Sequence, residues 1–286
     1  MKQILVPHDL SATAQNALRQ AVYLAHHTGA EIHVLHVFQL TLKVSYKSLE
    51  QIQALEKQEE FTARQEVNQL IFDALEQFDL SVREKVRVRT TVQLGSPADD
   101  ILYFADHDNP DMVVMGAKGV DDYPDKYLGS NTLFVLANCP VPVLIVPEYA
   151  VPTLPAKLLY VTDLLRAERK VKMRLLLLLE QLGLELHLLH LDTDYRKKGL
   201  DVEADEKFAE MQEGAFAQVP IHLHHINTDD VEAGIARYTA ELGPDWLGLS
   251  MQNTTIFDRL YQSNLLEHLE FLSQVPLLSV NVQLLD

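Results

Sequence analysis

The residues with the clearest chemical potential lie in MGAKGVDDYPDKYLGSNT, residues 115–132, which starts on the last residue of the apolar run DMVVM. Gly116, Gly119 and Gly129 fall along this loop, and Ser130, Asn131 and Thr132 follow the last of them. A loop that leaves an apolar strand and opens a helix can present unpaired backbone amides to an anion, and glycine lets that backbone come close. The spacing is neither the tight GxGxxG of a dinucleotide fingerprint nor the Gly-Lys-Ser/Thr ending of a Walker loop. On the residues alone, a phosphate cradle and a plain glycine turn both satisfy it. Asp121, Asp122 and Asp125 bring charge that opposes a polyphosphate, and Lys118 and Lys126 offset part of it. These aspartates read as solvated turn residues rather than metal ligands.

Other chemistry-bearing residues are sparser. His222 and His224 in PIHLHHI stand two apart, so on a strand they share a face and could ligate zinc. No cysteine or third ligand adjoins them in sequence, and the segment reads as an exposed edge strand. His36 and His190 recur at equivalent strand positions in two similar segments, which suits a structural role. Cys139 sits before Pro140 with no base beside it and reads as packing. No spaced Ser/His/Asp set, carboxylate pair, arginine finger or Walker aspartate stands out, so no catalytic or metal residues are assigned.

These residues need elements to hold them. KQILVP reads as a short buried strand, Ser11 as the cap of a helix ended by Gly29, and EIHVLHV as a second strand. A Glu/Gln-rich helical stretch runs from about Leu49 to Phe78, polar on most faces, to cover the sheet edge or present a partner surface. VRVRTTVQL is a third strand, and Ser96-Pro97-Ala98-Asp99 a capped helix start. DMVVM, a helix over Asn131–Asn138 and VPVLIV complete the series. Strands alternating with helices predict an α/β fold with a mainly parallel sheet covered on both faces.

The series is then repeated. ILVPHDL from Ile4 aligns with LLYVTDL from Leu158, and HVLHV from His33 with HLLHL from His187, both at an offset of 154 residues. DMVVMG at Asp111 aligns with DWLGLS at Asp245, and VPVLIV with VPLLSV at Val275, both at an offset of 134. Two homologous domains are expected, 1–147 and 157–286, joined by a proline-stiffened connector at 148–156. In the second copy Ser250, Asn253, Ser263 and Asn264 replace Gly116, Gly119, Gly129 and Ser130, and Val161 replaces Pro7, although Asp163 matches Asp9. Side chains at the glycine positions keep phosphates off the backbone, so no nucleotide is expected there.

A chain of 286 residues, 47% hydrophobic, can bury a core in each of two domains. Its formal charge of −17 argues against broad contact with nucleic acid or an anionic membrane. One cysteine permits no internal disulfide and suits a reducing compartment. The greasiest run, LLLLLEQLGLELHLLHL, is interrupted by Glu180, Glu185 and His187 and reads as a core helix followed by a strand. A soluble, cytoplasmic protein is expected.

The spacing Gly116, Gly119, Gly129-Ser130, with ILVPHDLSATAQNAL before it and CPVPVLIVP after it, resembles the universal stress protein family over the whole of residues 1–147. The second copy keeps the same frame, so the chain resembles a tandem universal stress protein. The resemblance implies two doubly wound domains, each a five-stranded sheet in the order 3-2-1-4-5, acting in stress response. It implies one adenine nucleotide per chain, ATP with or without Mg2+, bound by the N-terminal domain alone. Pro7, His8, Asp9 and Val37 would line the adenosine side, with Asp9 accepting hydrogen bonds from adenine or ribose. Met115 and Gly116 would border the pocket, and Gly119, Gly129, Ser130, Asn131 and Thr132 would hold phosphates. It further implies fifth strands meeting inside one chain, Val141–Val146 against Leu277–Val282, as an intramolecular pseudo-dimer able to form a further homodimer. A scaffold without nucleotide and a slow ATP hydrolase remain as alternatives.

Overall fold

The computed structural model describes residues 1–40, 48–118, 128–162, 169–192, 218–227, 230–250 and 274–280. The N-terminal half runs β1 (Gln3–Pro7), α1 (Ala12–Thr28), β2 (Glu31–Phe38), α2 (Leu49–Glu76), the single turn α3 (Leu80–Arg83), β3 (Arg87–Leu94), α4 (Pro97–His107), β4 (Met112–Gly116), α5 (Ser130–Asn138) and β5 (Val143–Val146). The C-terminal half runs β6 (Lys157–Thr162), α6 (Arg169–Leu182), β7 (Glu185–Asp192), β8 (Ile221–Asn227), α7 (Val231–Leu242), β9 (Trp246–Ser250) and β10 (Leu277–Val280).

Local signals set most of these limits. The Ser11 hydroxyl accepts the Ala14 amide at α1, and Gly29 ends that helix at φ 74°, a left-handed conformation open to glycine. Ser48 and Gln51 form a reciprocal capping box on α2. That helix buries only Ala63, Val67 and Ala74, a narrow stripe laid over α1, β2 and β3, so it covers the sheet and leaves its other faces to water. Ser96 departs from expectation: it precedes α4 without a side-chain cap. The carboxylate on that helix's first turn, Asp100, instead accepts from Gln93 on β3 at 3.0 Å.

The strands form one ten-stranded sheet in the order β3-β2-β1-β4-β5-β10-β9-β6-β7-β8. Each half therefore has the 3-2-1-4-5 order, and all pairings are parallel except one. That exception is the seam, where β5 and β10 run antiparallel with Ile145, Leu144 and Val143 opposite Leu277, Leu278 and Ser279. Leu144 and Leu278 are fully buried there. The fifth strands meet within one chain, as anticipated.

Alternate residues feed two cores, as the two-residue period of a strand requires. Ile4, Val6, Ile32, Met112 and Leu278 pack under α1, α2 and α6, and Leu5, Leu35, Val113, Ile145 and Leu247 under α4, α5 and α7. The duplicated aspartates have matching work. Asp111 accepts from the amides of Lys2 and Gln3, and Asp245 from those of Ala156 and Lys157, so each ties the fourth strand of its half to the start of the first. The connector is fixed to α1: the buried Asn16 amide donates to Pro147 O and Ala150 O at 2.8 Å each, and Gln20 exchanges two bonds with Thr153. Among the described residues, no helix is long and apolar enough to cross a membrane.

Candidate functional site

The carboxyl ends of β1 and β4 adjoin where the sheet order reverses, so the connections that leave them diverge and open a crevice. After β1 the chain makes a tight turn. Leu10 adopts φ 68°, which costs a side-chain-bearing residue about 1–2 kcal/mol. Its amide donates to His8 Nδ1 at 3.1 Å, while Asp9 Oδ1 accepts from the Ser11 amide at 3.1 Å and the Ser11 hydroxyl at 2.5 Å. The strained turn is thus held by the two side chains that precede it, and it leaves Asp9 exposed.

His8 is buried and spoken for. With Nδ1 accepting, Nε2 carries the proton and gives it to Gln15 Oε1 at 3.1 Å, and Gln15 in turn donates to Leu70 O on α2. Burial holds this imidazole below its ordinary pKa, so it stays neutral at pH 7. His36 Nδ1 lies 2.6 Å from the His8 carbonyl and donates to it.

On the other side of the crevice, Gly116 ends β4. A Cβ there would stand 2.7–2.8 Å from Thr13 Oγ1, Thr13 C and Ala14 N. The glycine therefore makes room for the first turn of α1, a need that the sequence reading did not foresee. Thr132, expected to offer its hydroxyl to phosphate, is buried and donates to Gly116 O at 3.3 Å. Gly129 is the N-cap of α5 and brings no side-chain acceptor to that helix end, while Ser130 and Asn131 on the first turn are exposed. Such a terminus carries partial positive charge and amides without intrahelical partners.

Together these elements enclose a cleft of about 650 Å³, within the range of small-molecule sites. Pro7, His8, Asp9, Val37, Met115, Gly116, Ser130, Asn131 and Thr132 all line it. Gly129 is not in its lining but caps α5, whose first turn is, and Gly119 lies outside the described residues, as do Asp121, Asp122, Asp125 and Lys126. Sequence reasoning missed the apolar Leu35, Ile101 and Pro97 and the polar His36, Gln39 and Ser96 in this lining, while Lys118, named there for its charge, lines it as well. The signal for Leu35 and His36 was their place at the carboxyl end of β2, next to β1 in the sheet.

In the C-terminal half, the positions aligned with the loop fall at Asn253, Ser263 and Asn264, and Asp163 follows β6; all lie outside the described residues. The histidines expected on an edge strand are better defined. β8 is the last strand of the sheet, and its register sets His222 opposite His187 on β7, with Glu185 two residues before. Cys139 is fully buried, and burial pushes its thiol up to about 12, consistent with packing.

Comparison with known proteins agrees with this architecture. The universal stress protein family matches residues 1–147. Universal stress protein MJ0531 of Methanocaldococcus jannaschii is 29% identical over 150 residues, 51% of this chain and 82% of that protein. Universal stress protein YxiE of Bacillus subtilis is 32% identical over 142 residues, 49% of this chain and 95% of that one. A universal stress protein of Archaeoglobus fulgidus aligns over 98% of both chains with a TM-score of 0.70 at 21% identity, a likeness of fold that extends to both halves. By its sequence match across the N-terminal half, this chain belongs to the universal stress protein family.

Proposed function

We propose that the protein binds one adenine nucleotide per chain, ATP with or without Mg2+, in the N-terminal cleft, and serves as a cytoplasmic regulatory protein of the stress response. In this reading residues 1–147 form the binding domain, 148–156 the connector and 157–286 a partner domain that binds no nucleotide. The observation that carries it is the meeting of unlike surfaces in one cleft. The start of α5, capped by Gly129 and fronted by Ser130 and Asn131, suits phosphate. Apolar groups of Leu35, Val37, Pro97 and Ile101 suit a flat base, and the exposed Asp9 carboxylate suits its amine or the ribose hydroxyls. Binding is favoured over hydrolysis because His8, a candidate base in the cleft lining, has both ring nitrogens engaged.

The test is direct. Protein purified without added nucleotide is denatured, and the released small molecules are separated and identified by mass. Adenine nucleotide approaching one per chain, or saturation at one per chain on titration with ATP and Mg2+, is the expected result, and Gly129→Leu should abolish it. Neither retained nor titratable nucleotide would overturn the proposal in favour of a scaffold, and two per chain would overturn the reading of the C-terminal half.

A further inference from the structure

The edge of the sheet in the C-terminal half holds a group that the nucleotide reading leaves unused. Glu185 and His187 lie two apart on β7, and His222 and His224 two apart on β8, so all four occupy one face. The register pairs His187 with His222 and Leu189 with His224. Glu185 Oε1 stands 2.8 Å from His222 Nε2 and 3.2 Å from His187 Nε2. One ligand atom from each of Glu185, His187 and His222 falls within 4.8 Å of the others. His187 Nε2 is buried yet makes no hydrogen bond, whereas His187 Nδ1 is 2.9 Å from His224 Nε2.

The N-terminal half shows what this place looks like when it is neutralised from within. Glu31 and His33 occupy the positions of Glu185 and His187, and the register puts Arg89 where His222 stands and Thr91 where His224 stands. Arg89 Nε lies 3.7 Å from Glu31 Oε2, its Nη2 lies 2.6 Å from Asp108, and His33 Nε2 bonds Thr91 at 2.8 Å. The C-terminal half keeps the carboxylate and the histidine and exchanges the fixed cation for two imidazoles. The neighbouring Lys157 of β6 has its ammonium drawn off to Leu242 O at 2.8 Å.

We infer that Glu185, His187 and His222 form a site for a divalent transition-metal ion, zinc by preference, with His224 holding the ring of His187. Two imidazoles and one carboxylate are a borderline-soft donor set that suits zinc and leaves a fourth position open to water. Bonds of about 2.1 Å in a tetrahedron place donors ~3.4 Å apart, so the site closes on an ion by small side-chain rotations about the 2.8–4.8 Å separations present. A His187 Nδ1–H donated to His224 would fix the tautomer that turns the Nε2 lone pair toward Glu185 and His222, as an outer partner does for a metal-bound histidine. The half-exposed Glu185 and exposed His222 leave the site an entry path from solvent, on the last two strands of the described sheet.

The experiment uses the full, untagged chain, stripped by a chelator and free of nucleotide. Zn2+ is titrated calorimetrically, and Co2+ is followed by its visible absorption, which reports coordination geometry. Expected is one equivalent of Zn2+ per chain and a Co2+ spectrum of tetrahedral or five-coordinate form. His222→Arg, which copies the N-terminal arrangement and sits on the surface, should weaken binding at least 100-fold, and Glu185→Gln at least tenfold. The double change Arg89→His with Thr91→His should add a second equivalent. No Zn2+ bound at 100 μM by a wild-type chain of native circular dichroism would overturn the inference. So would binding that His222→Arg and Glu185→Gln leave unchanged, which would assign the ion to other residues.

Discussion

The two halves of this molecule set a glutamate and a histidine at the same points of the same strand and give them different company. In the N-terminal half Glu31 and His33 meet Arg89 and Asp108, and the charges close among themselves. In the C-terminal half Glu185 and His187 meet His222 and His224, and among the described residues no arginine answers the carboxylate. A second contrast lies beneath α1 and α6. The N-terminal half fills the first and fourth strands with Val6 beside Val114, and the C-terminal half with Tyr160 beside Gly248, a large-and-small pair in place of two medium ones. The backbone frame tolerates both because neighbouring positions exchange volume together. What duplication preserved is register and layer; what it released is the chemistry carried on each face.

The largest effect should come from damage to the seam, where the sheets of the two halves join. Leu278→Asp puts a carboxylate into a fully buried position opposite Leu144, and should destabilise the chain by more than about 4 kcal/mol. Urea unfolding followed by circular dichroism should then split into two transitions; a single transition of unchanged midpoint would refute the seam's role. Gly248→Ala comes next, since its Cβ would lie 2.2 Å from the Tyr160 ring, and a cost of about 1–3 kcal/mol is expected. Adding Tyr160→Val should recover most of it, because the pair then approaches the N-terminal solution; failure of that rescue would mean the two halves are not interchangeable in volume.

Asn16→Ala removes the donor that holds Pro147 O and Ala150 O and should cost about 1–3 kcal/mol, visible as a lower urea midpoint and faster proteolysis within residues 148–156. The smallest effect is a pH dependence of the metal-free protein. Burial, then the charge of Arg89, hold the His33 imidazole down at about 4, with Asp108 opposing. Its folded pKa lies below the unfolded value of about 6.5, so the unfolded chain takes up the proton first. The contribution of His33 is complete above pH 6.5, declines as pH falls from there to about 4, and is level below. Urea midpoints across that window should fall less steeply in His33→Gln; an equal slope would assign the dependence to other groups.

Much of this was legible in the sequence because it rests on local chemistry. Ser11 and Gly29 bracket α1 through bonds within a few residues, and the matching offsets exposed the repeat because its strands keep their apolar runs. The aligned Asp111 and Asp245 proved to be structural ties, a meaning available only once the first strand lay beside the fourth. The cleft residues were named by motif, but the structural work of Gly116 and Thr132 was not. The spacing of Gly116 cannot reveal that its neighbour is Thr13 of another element, or that Thr132 is bonded to a carbonyl 16 residues away. The group at Glu185, His187 and His222 was missed for the same reason. His222 was seen with His224, its neighbour in sequence, whereas its partners stand on a strand more than 30 positions earlier and are reached only through the register of β7 and β8.

The antiparallel seam between β5 and β10 has a consequence for how the two copies can change. Separate subunits sharing one gene must keep both sides of their contact identical, and every substitution appears twice. Here the partner arrives on the same chain, with a connector tied to α1 at Asn16 and Gln20, so its effective concentration does not fall on dilution. Each chain always carries one of each half, and neither can exchange with its like. One copy is thereby free to keep a cleft at the carboxyl ends of its first and fourth strands while the other gathers histidines on its last two strands, far apart along one continuous sheet.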